Sequence, residues 1–275
     1  MAKIDRLGWA DGFSFISYGV PVGVRVNEPA ILKDVIERLP PSFKLASLRT
    51  VDHLYSLIAG GHQPDSRVRR FSLGYWNLLR LARSRKFADL LDSFESHVQL
   101  TVAEHAKRRV FVHAGVVGWK NRAILIPGLS HTGKTTLVHR LIRAGATYYS
   151  DEYAVLDERG HVHPYPRPLG MRSSKSSSAK KVMPEEIGAA VGLKPLRVGL
   201  VISTTYRDEG RWRPRRLTRG KGVLELMANT VSARSQPELA LSVLPKAVES
   251  ATILKGVRGD ALEIVDSILS QNRLR

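Results

Sequence analysis

Alternating apolar and polar residues mark the first part of the chain as strands joined by turns. Residues 13–26 alternate on both sides of a Gly-Val-Pro turn, which predicts a strand, a turn and a second strand. Residues 28–39 have helical spacing and stop at a Pro-Pro pair, whereas residues 45–58 are extended or mixed and a loop follows at 60–64. Residues 73–109 show a largely helical pattern. This part of the chain therefore predicts a small α+β domain.

Beyond this region the pattern changes to strands and helices in alternation. A β-branched run at 110–117 turns at 118–121 into a short apolar run, which predicts a hairpin. The further elements that we expect are strands at 147–150, 153–157, 161–165, 196–204 and 251–255, and helices that begin near 223 and cover 237–249 and 260–270. A polar serine- and lysine-rich segment at 173–181 has no periodicity and predicts a loop. The chain therefore predicts an α/β fold in two domains, 1–100 and 101–275.

Composition narrows the class of protein. The chain has 275 residues, 43% of them hydrophobic, which is enough for a packed core. No apolar run reaches the roughly 18 to 20 residues that a bilayer span needs, and the N-terminus lacks the apolar segment of a signal peptide. Without cysteine the chain forms no disulfide and no thiolate metal site. A cytoplasmic location is the simplest expectation.

The formal net charge of +18 points to anionic partners. The densest basic cluster, which we call the basic segment, comprises Arg211, Arg213, Arg215, Arg216, Arg219 and Lys221. Arginines alternate from Arg211 to Arg215, as on one face of a strand. The sequence contains no zinc-finger, RNP or other nucleic-acid signature, which disfavours nucleic-acid binding. An acidic substrate or partner and a simply solvated basic surface stay as the alternatives.

The most specific motif is a phosphate-binding loop with the pattern G-x-x-x-x-G-K-[ST]. The residues that it predicts to bind a nucleotide are Gly128, Leu129, Ser130, His131, Thr132, Gly133, Lys134, Thr135 and the following Thr136. An apolar strand precedes the loop and a helical stretch follows it, as this motif requires. Glycines let backbone N–H groups face one anion, and the helix adds its positive dipole end. We expect Lys134 to reach the β- and γ-phosphates and Thr135 to bind Mg²⁺.

Two acids after the next predicted strand complete a candidate phosphotransfer site. Asp151 and Glu152 follow residues 147–150, close in sequence to the helix after the loop. Such a pair can hold Mg²⁺ and accept a hydroxyl proton, and a turn with two solvated carboxylates is the alternative. The D-x-x-G and N-K-x-D signatures of GTPases are missing from the sequence, which argues against a GTPase switch.

From Phe111 to Arg172 the chain resembles the catalytic domain of HPr kinase/phosphorylase and, more closely, bacterial HPr-kinase-related proteins. Three features carry the resemblance: His113 in a His-Ala-Gly context, the phosphate-binding loop, and an Arg-Ala-Gly-Ala stretch at 143–146 that leads into the acids. The resemblance extends with less specificity over residues 96–275. It implies an HPr-kinase/PEP-carboxykinase-like P-loop catalytic domain behind a smaller α+β N-terminal domain.

The resemblance also implies roles for individual residues. Lys134 would hold the transferring phosphates, and Thr135 would ligate Mg²⁺ with support from Asp151. The family's general base is the second acid of an Asp-Asp pair, and Glu152 occupies that position here, so the base is Asp151 or Glu152. His113 would lie near the phosphates as a positioning or charge-stabilising group, with a packed strand histidine as the alternative. A homo-oligomer is a further implication, because HPr kinases form hexamers.

One departure from the family concerns the substrate. True HPr kinases carry a Glu-Ile-Arg-Gly segment after the paired acids, and the serine- and lysine-rich segment occupies roughly that place here. The sequence therefore gives little support to HPr as the substrate or to the phosphorolysis reaction. Arg167 and Arg172 are candidate phosphate clamps, or else solvated loop arginines.

These features together predict an ATP-dependent kinase that uses Mg²⁺ and transfers the γ-phosphate to a serine-type hydroxyl of a small protein, a peptide or a small molecule. The basic segment suits an acidic acceptor. Two alternatives stay open: an ATP-binding regulatory protein without transferase activity, and a basic nucleic-acid-binding ATPase. The N-terminal domain, 1–100, is a candidate for binding the acceptor or another partner.

Overall fold

A computed structural model describes residues 3–60, 71–128, 132–172 and 179–271 of the chain. The chain divides into two compact units, Met1–Lys107 and Arg108–Arg275. Each unit has its own main sheet and its own hydrophobic core. Among the described residues, no helix combines the length and the apolarity that crossing a membrane requires.

Within the described residues, the first unit is a six-stranded mixed sheet that packs against one long helix. Its elements are β1 (Asp11–Ser17), β2 (Val20–Val26), α1 (Leu32–Ile36), β3 (Lys44–Leu45), β4 (His53–Ile58), β5 (Ser72–Trp76), β6 (Leu79–Ser84) and α2 (Phe87–His105). The strand order is β3-β1-β2-β4-β5-β6, in which β2 and β4 run parallel. Phe94 of α2 packs edge-to-face on Tyr55 of β4, with ring centroids 5.2 Å apart, in the middle of this core.

The predicted helix over 73–109 is wrong in its first part. The chain there forms the hairpin β5–β6, and α2 begins after it. Asn77 makes the turn possible, because it takes a positive φ of 51° that asparagine tolerates, and its side-chain oxygen accepts the Leu54 N–H. Leucine and arginine favour helices locally, but pairing with β4 overrides that preference.

Other predictions in the first unit have mixed outcomes. The strand, turn and strand predicted over 13–26 are confirmed by β1 and β2, which pair antiparallel. The helix predicted over 28–39 is shorter, because a 3₁₀ turn at Pro29–Ile31 leads into α1. The domain boundary that we set at 100/101 falls inside α2, whereas the compact unit ends at Lys107.

The second unit is built on a large mixed sheet with eight strands among the described residues. Its elements are β7 (Arg109–Trp119), β8 (Arg122–Pro127), α3 (Lys134–Arg143), β9 (Thr147–Ser150), β10 (Tyr153–Asp157), β11 (Val162–His163), β12 (Leu169–Arg172), β13 (Ala179–Val182), β14 (Val198–Tyr206), β15 (Arg215–Arg216), α4 (Arg219–Met227), α5 (Pro237–Val248), β16 (Thr252–Arg258) and α6 (Val265–Gln271). The sheet order is β11-β10-β7-β8-β14-β16-β15, β9 also pairs with β7, and β12 pairs with β13 separately. This arrangement confirms the predicted α/β class.

Helices cover both faces of the large sheet. In β8, Ala123 and Leu125 pack into one core with α5, whereas Ile124 and Ile126 pack into the other core with α3. Because all four side chains are buried, β8 reads in the sequence as an uninterrupted apolar run. The strands β8, β14 and β16 run parallel, so their carboxyl ends meet at the edge where the chain leaves β8 for α3.

The basic segment forms less regular structure than we predicted. Its regular strand is limited to β15, which pairs antiparallel with β16. The alternation predicted from Arg211 to Arg215 is present in their exposure, because Arg211, Arg213 and Arg215 are exposed while Trp212 packs on a core. The segment therefore presents its charges to solvent from the strand β15, from the loop before it and, through Arg219 and Lys221, from the first turn of α4.

Gly115 of β7 sets how closely α3 approaches the sheet. A Cβ atom at this position would lie 2.5 Å from a methyl group of Val138 in α3. We expect Gly115→Ala to overpack this contact and to lower the free energy of unfolding by about 1–3 kcal/mol, measured by urea denaturation. Gly220→Ala is the matched control, because a Cβ there meets no atom within 4 Å. Equal stability of the two variants would contradict the close packing.

Candidate functional site

Strand β7 brings the predicted parts of the site together. On one side it pairs with β8, and the His113 carbonyl accepts the Gly128 N–H at 3.1 Å where the loop begins. On the other side it pairs with β9 and β10, with Tyr153 opposite His113. Asp151 and Glu152 lie in the short connection between β9 and β10. One strand, with a spacing of about 4.8 Å to each neighbour, therefore separates the two acids from the start of the loop.

The phosphate-binding loop runs into the N-terminus of α3. Gly133 is the N-cap residue, with a left-handed φ of 79°, and the first turn of the helix holds no acidic residue. The first N–H groups of a helix have no partner within it, and this end of the helix dipole is positive. The start of α3 therefore suits an anion. Leu129, Ser130 and His131 of the predicted loop lie outside the described residues.

Lys134 and Thr135 open this helix close to Asp151. The Thr135 hydroxyl donates to Asp151 Oδ2 at 3.3 Å. Asp151 is 9% exposed, and burial raises the pKa of its carboxyl, while the hydrogen bond from Thr135 lowers it. Burial lowers the pKa of Lys134, while the charges of Glu152 and Asp151 raise it. An ammonium group and two carboxylates therefore share one poorly solvated region.

Ser150 holds the backbone that carries the two acids. Its hydroxyl oxygen accepts the N–H groups of Glu152 and Tyr153, at 3.1 and 3.0 Å. The Glu152 carbonyl in turn accepts the N–H of Ala114 in β7 at 3.1 Å. The connection between β9 and β10 is therefore tied to β7 and has a defined position relative to the loop.

Asp151 and Glu152 differ in exposure. The Glu152 side chain is 46% exposed, whereas Asp151 is buried against Thr135. Partial burial raises the pKa of Glu152, the Asp151 charge raises it further, and Lys134 lowers it. Glu152 is thus open to an incoming group, and Asp151 faces the start of α3.

His113 takes part in the candidate site through its backbone and through a ring that carries no charge. Burial lowers the pKa of His113 and the Lys134 charge lowers it further, so the imidazole is neutral near pH 7. Its Nδ1 lies 3.8 Å from Glu152 Oε1, which is too long for a hydrogen bond and, with a neutral ring, is not an ion pair. The ring packs on Tyr153 at a centroid distance of 4.8 Å, and the His113 N–H donates to the Asn229 carbonyl at 2.8 Å. His113 thus lies between the loop and the acids as a packed residue.

Other residues singled out in the sequence have the following places. Thr136 is exposed on α3. Arg167 is partly buried, and its carbonyl accepts the Tyr148 hydroxyl at 2.8 Å. The side chain of Arg172 and residues 173–178 of the serine- and lysine-rich segment lie outside the described residues. The end of that segment is a strand, β13, rather than the predicted loop, because it pairs with β12.

Two residues that the sequence did not assign to the site lie within it. Tyr148 is buried, and its hydroxyl lies 3.4 Å from Asp151 Oδ1. Arg258, the last residue of β16, donates to the Gly133 carbonyl at 3.0 Å and to the Thr132 carbonyl at 3.4 Å. No local signal reveals the Arg258 contacts, because the strand order β8-β14-β16 brings this residue to the loop.

The described residues suit Mg²⁺ bound together with phosphate. Mg²⁺ prefers oxygen ligands, and in nucleotide sites it takes one or two carboxylates and completes its coordination with phosphate and water. The Thr135 hydroxyl and the Asp151 carboxylate supply such oxygens at the start of α3. The described part of the chain has no cluster of three or more His, Cys, Asp or Glu that could hold a metal ion. This donor set fits an ion that arrives with its substrate.

Comparisons with known proteins give a distant structural likeness. No family model matches the chain, and no curated protein matches it. Among solved structures 31 chains match. One is the structure of the Hpr(Ser) kinase/phosphatase from Coxiella burnetii, with 16% sequence identity and a TM-score of 0.33, over 59% of this chain and 94% of that chain. So distant a likeness does not identify a function. The functional proposal therefore rests on the geometry of the site.

Proposed function

We propose that the second unit is an ATP-dependent kinase that transfers the γ-phosphate to a serine-type hydroxyl of a small protein, a peptide or a small molecule. The observation that carries this proposal is the contact between Thr135, at the N-terminus of α3, and Asp151, next to the more exposed Glu152. A helix end for phosphate, a pair of oxygen ligands for Mg²⁺ and an accessible carboxylate are the parts that phosphoryl transfer to a hydroxyl needs.

The loop and Lys134 supply the charge stabilisation. N–H groups at the start of α3 and the Lys134 ammonium donate to phosphate oxygens, on which negative charge is spread in the transition state. Thr135 and Asp151 would hold Mg²⁺, which when bound would neutralise charge on the phosphate oxygens. Because Lys134 is partly buried, water screens its attraction to phosphate less than at an open surface.

Glu152 is the general base of this proposal. Its carboxylate accepts the proton of the acceptor hydroxyl, whose oxygen forms a bond to the γ-phosphorus. The bond from that phosphorus to the bridging oxygen breaks, and ADP leaves with that electron pair. Asp151 is too buried to meet an incoming hydroxyl and stays with the metal. His113 lies beside Glu152 as a neutral neighbour, and its ring packs on Tyr153.

An acidic acceptor suits the charge of this unit. All six residues of the basic segment are exposed, whereas the neighbouring Lys255 is paired with Glu225 at 2.5 Å. Exposed arginines attract anionic partners over several ångströms, and salt weakens this attraction. The first unit is the candidate for holding the acceptor or another partner.

The proposal is tested by transfer from ATP labelled in the γ-phosphate, with Mg²⁺, to serine peptides with and without flanking acidic residues. ATP hydrolysis and Mg–ATP affinity are measured in parallel. Transfer that is larger for the acidic peptide and weaker at high salt supports the kinase. Tight Mg–ATP binding with neither transfer nor hydrolysis supports a regulatory protein instead. ATP turnover that requires DNA or RNA supports a nucleic-acid-binding ATPase.

The raised pKa of Glu152 predicts the acid side of the pH–rate profile. A general base works when deprotonated, so kcat/KM should fall as pH drops through the pKa of Glu152, which burial holds above its ordinary value of 4.5. His113→Asn is one control, because the histidine is a nearby group whose titration could also cause such a fall. We expect the variant to keep the acid side of the profile. Its disappearance would assign that titration to His113.

A further inference from the structure

A buried arginine lies behind the phosphate-binding loop. Arg258 is 2% exposed, and it ends β16, which β14 separates from β8 in the sheet. Its Nη2 donates to the carbonyls of Gly133 and Thr132, at 3.0 and 3.4 Å, and its Nη1 donates to the Gly259 carbonyl at 3.1 Å. Its Nε is buried and has no hydrogen-bond partner among the described residues. The Arg258 guanidinium therefore connects β16, the third of the parallel strands, with the backbone of the loop.

These bonds help to orient two peptide groups in the loop, and the Gly133 carbonyl also accepts the Leu137 N–H of α3 at 3.2 Å. In a planar trans peptide the C=O and N–H groups point in opposite directions. The carbonyls of Thr132 and Gly133 point to Arg258, so the N–H groups in the same peptides, those of Gly133 and Lys134, point away from it. Both lie at the start of α3, the end of a helix that suits an anion.

Position 133 favours glycine because of its backbone and its closeness to Arg258. The φ of Gly133 is +79°, and a Cβ atom there would approach Arg258 Nη2 closely. A side chain would strain the backbone and would force the guanidinium to shift away from the loop. The second glycine of the motif therefore allows the loop to lie against an arginine.

Stability alone does not explain why an arginine occupies this place. Burying a guanidinium costs free energy, and a donor without a partner adds to that cost. Burial lowers the pKa of Arg258, while Tyr206 and Asp260 raise it, and an arginine stays protonated throughout. A permanent positive charge behind the loop also attracts an anion bound in front of it.

We infer that Arg258 is a positioning residue of the phosphate-binding loop, which holds the Thr132 and Gly133 carbonyls and thereby presents the N–H groups of Gly133 and Lys134 to phosphate. The inference rests on the proposed nucleotide site and adds a residue from outside the G-x-x-x-x-G-K-[ST] motif. Arg258 contacts the loop backbone, so its effect on the nucleotide passes through the loop.

The test is isothermal titration calorimetry of the full chain with Mg–ATP, which yields the Kd and the number of sites separately. We expect Arg258→Met to raise the Kd by roughly 10- to 100-fold, as displaced positioning groups do, with the number of sites unchanged. Arg258→Lys keeps the charge but not the planar fork, so its Kd should lie between those of wild type and Arg258→Met. Arg207→Met is the matched control, because Arg207 is exposed nearby and the charge change is the same.

A purely structural role has a different signature. If Arg258 had only a structural role, Arg258→Met would reduce the number of sites, because less protein would fold, and the folded fraction would keep the wild-type Kd. That result would overturn the inference. If Arg258→Met does not fold, Arg258→Lys decides: a raised Kd at full site number supports the inference, and a wild-type Kd overturns it. A wild-type chain that binds no Mg–ATP overturns the proposed function and this inference together, whereas a failure confined to the Arg258 variants overturns this inference alone.

Discussion

Replacing Lys134 with alanine is expected to lower kcat for phosphoryl transfer by about 10³-fold or more, or roughly 4 kcal/mol of transition-state stabilisation. Lys134 carries the positive charge at the first position of α3, in surroundings that are partly desolvated. Its attraction to the phosphate oxygens is therefore stronger than in water. The loss should appear in single-turnover rates at saturating Mg–ATP as well as in steady-state kcat.

The fold should survive this change. Alanine is the best helix former and the substitution removes a partly buried charge, but it also loses the attraction to Glu152 and Asp151; because these effects oppose each other, the thermal midpoint should change little. Arg143→Ala is the control, because Arg143 is an exposed basic residue in the same helix, and its kcat should stay near that of wild type. Wild-type turnover in Lys134→Ala would refute the assignment of the loop to phosphate.

Amide substitutions at the two acids are expected to separate the general base from the metal ligand. Glu152→Gln should lower kcat by about 10²- to 10⁴-fold, the usual contribution of a positioned base, and should change the Kd for Mg–ATP by a few-fold at most. Asp151→Asn should instead raise both the Kd for Mg–ATP and the Mg²⁺ concentration needed for half-maximal rate. The reason is exposure: Glu152 is open to an acceptor, whereas Asp151 is buried against Thr135.

Both amide variants need a control for the loss of one negative charge. Glu249→Gln serves this purpose, since Glu249 is an exposed carboxylate at the C-terminal end of α5, and it should behave as wild type in both assays. The reverse pattern, with kcat lost in Asp151→Asn and nearly unchanged in Glu152→Gln, would make Asp151 the base. A loss of nucleotide affinity in both variants would show that the two carboxylates act together on the metal.

Predictions from the sequence were best where the signal was local and continuous. The hairpin β7–β8 and the helix α5 lie close to their predicted positions, because an uninterrupted apolar run and helical spacing leave few alternatives. The hairpin β5–β6 was missed, because the leucines and arginines of that stretch favour a helix until β4 pairs with it. Local preference and tertiary pairing agreed in the first case and opposed each other in the second.

The two acids show an intermediate case. Their position after a strand was readable in the sequence, but nothing in two adjacent carboxylates says which one is buried. Burial of Asp151 follows from the packing of α3, whose second residue, Thr135, donates to it. The close approach of α3 to β7 depends in turn on the absence of a side chain at Gly115. Packing thus separates the candidate base from the candidate metal ligand.

The phosphate-binding loop could be read from eight consecutive residues, since strand, glycines, lysine and hydroxyl are all neighbours in the chain. Arg258 could not, because its place beside Gly133 depends on β14 pairing with both β8 and β16. This strand pairing is stabilised because helices bury both faces of the sheet. It joins segments that are far apart in sequence. Local chemistry therefore predicted the loop, and long-range strand order placed the positive charge of Arg258 behind it.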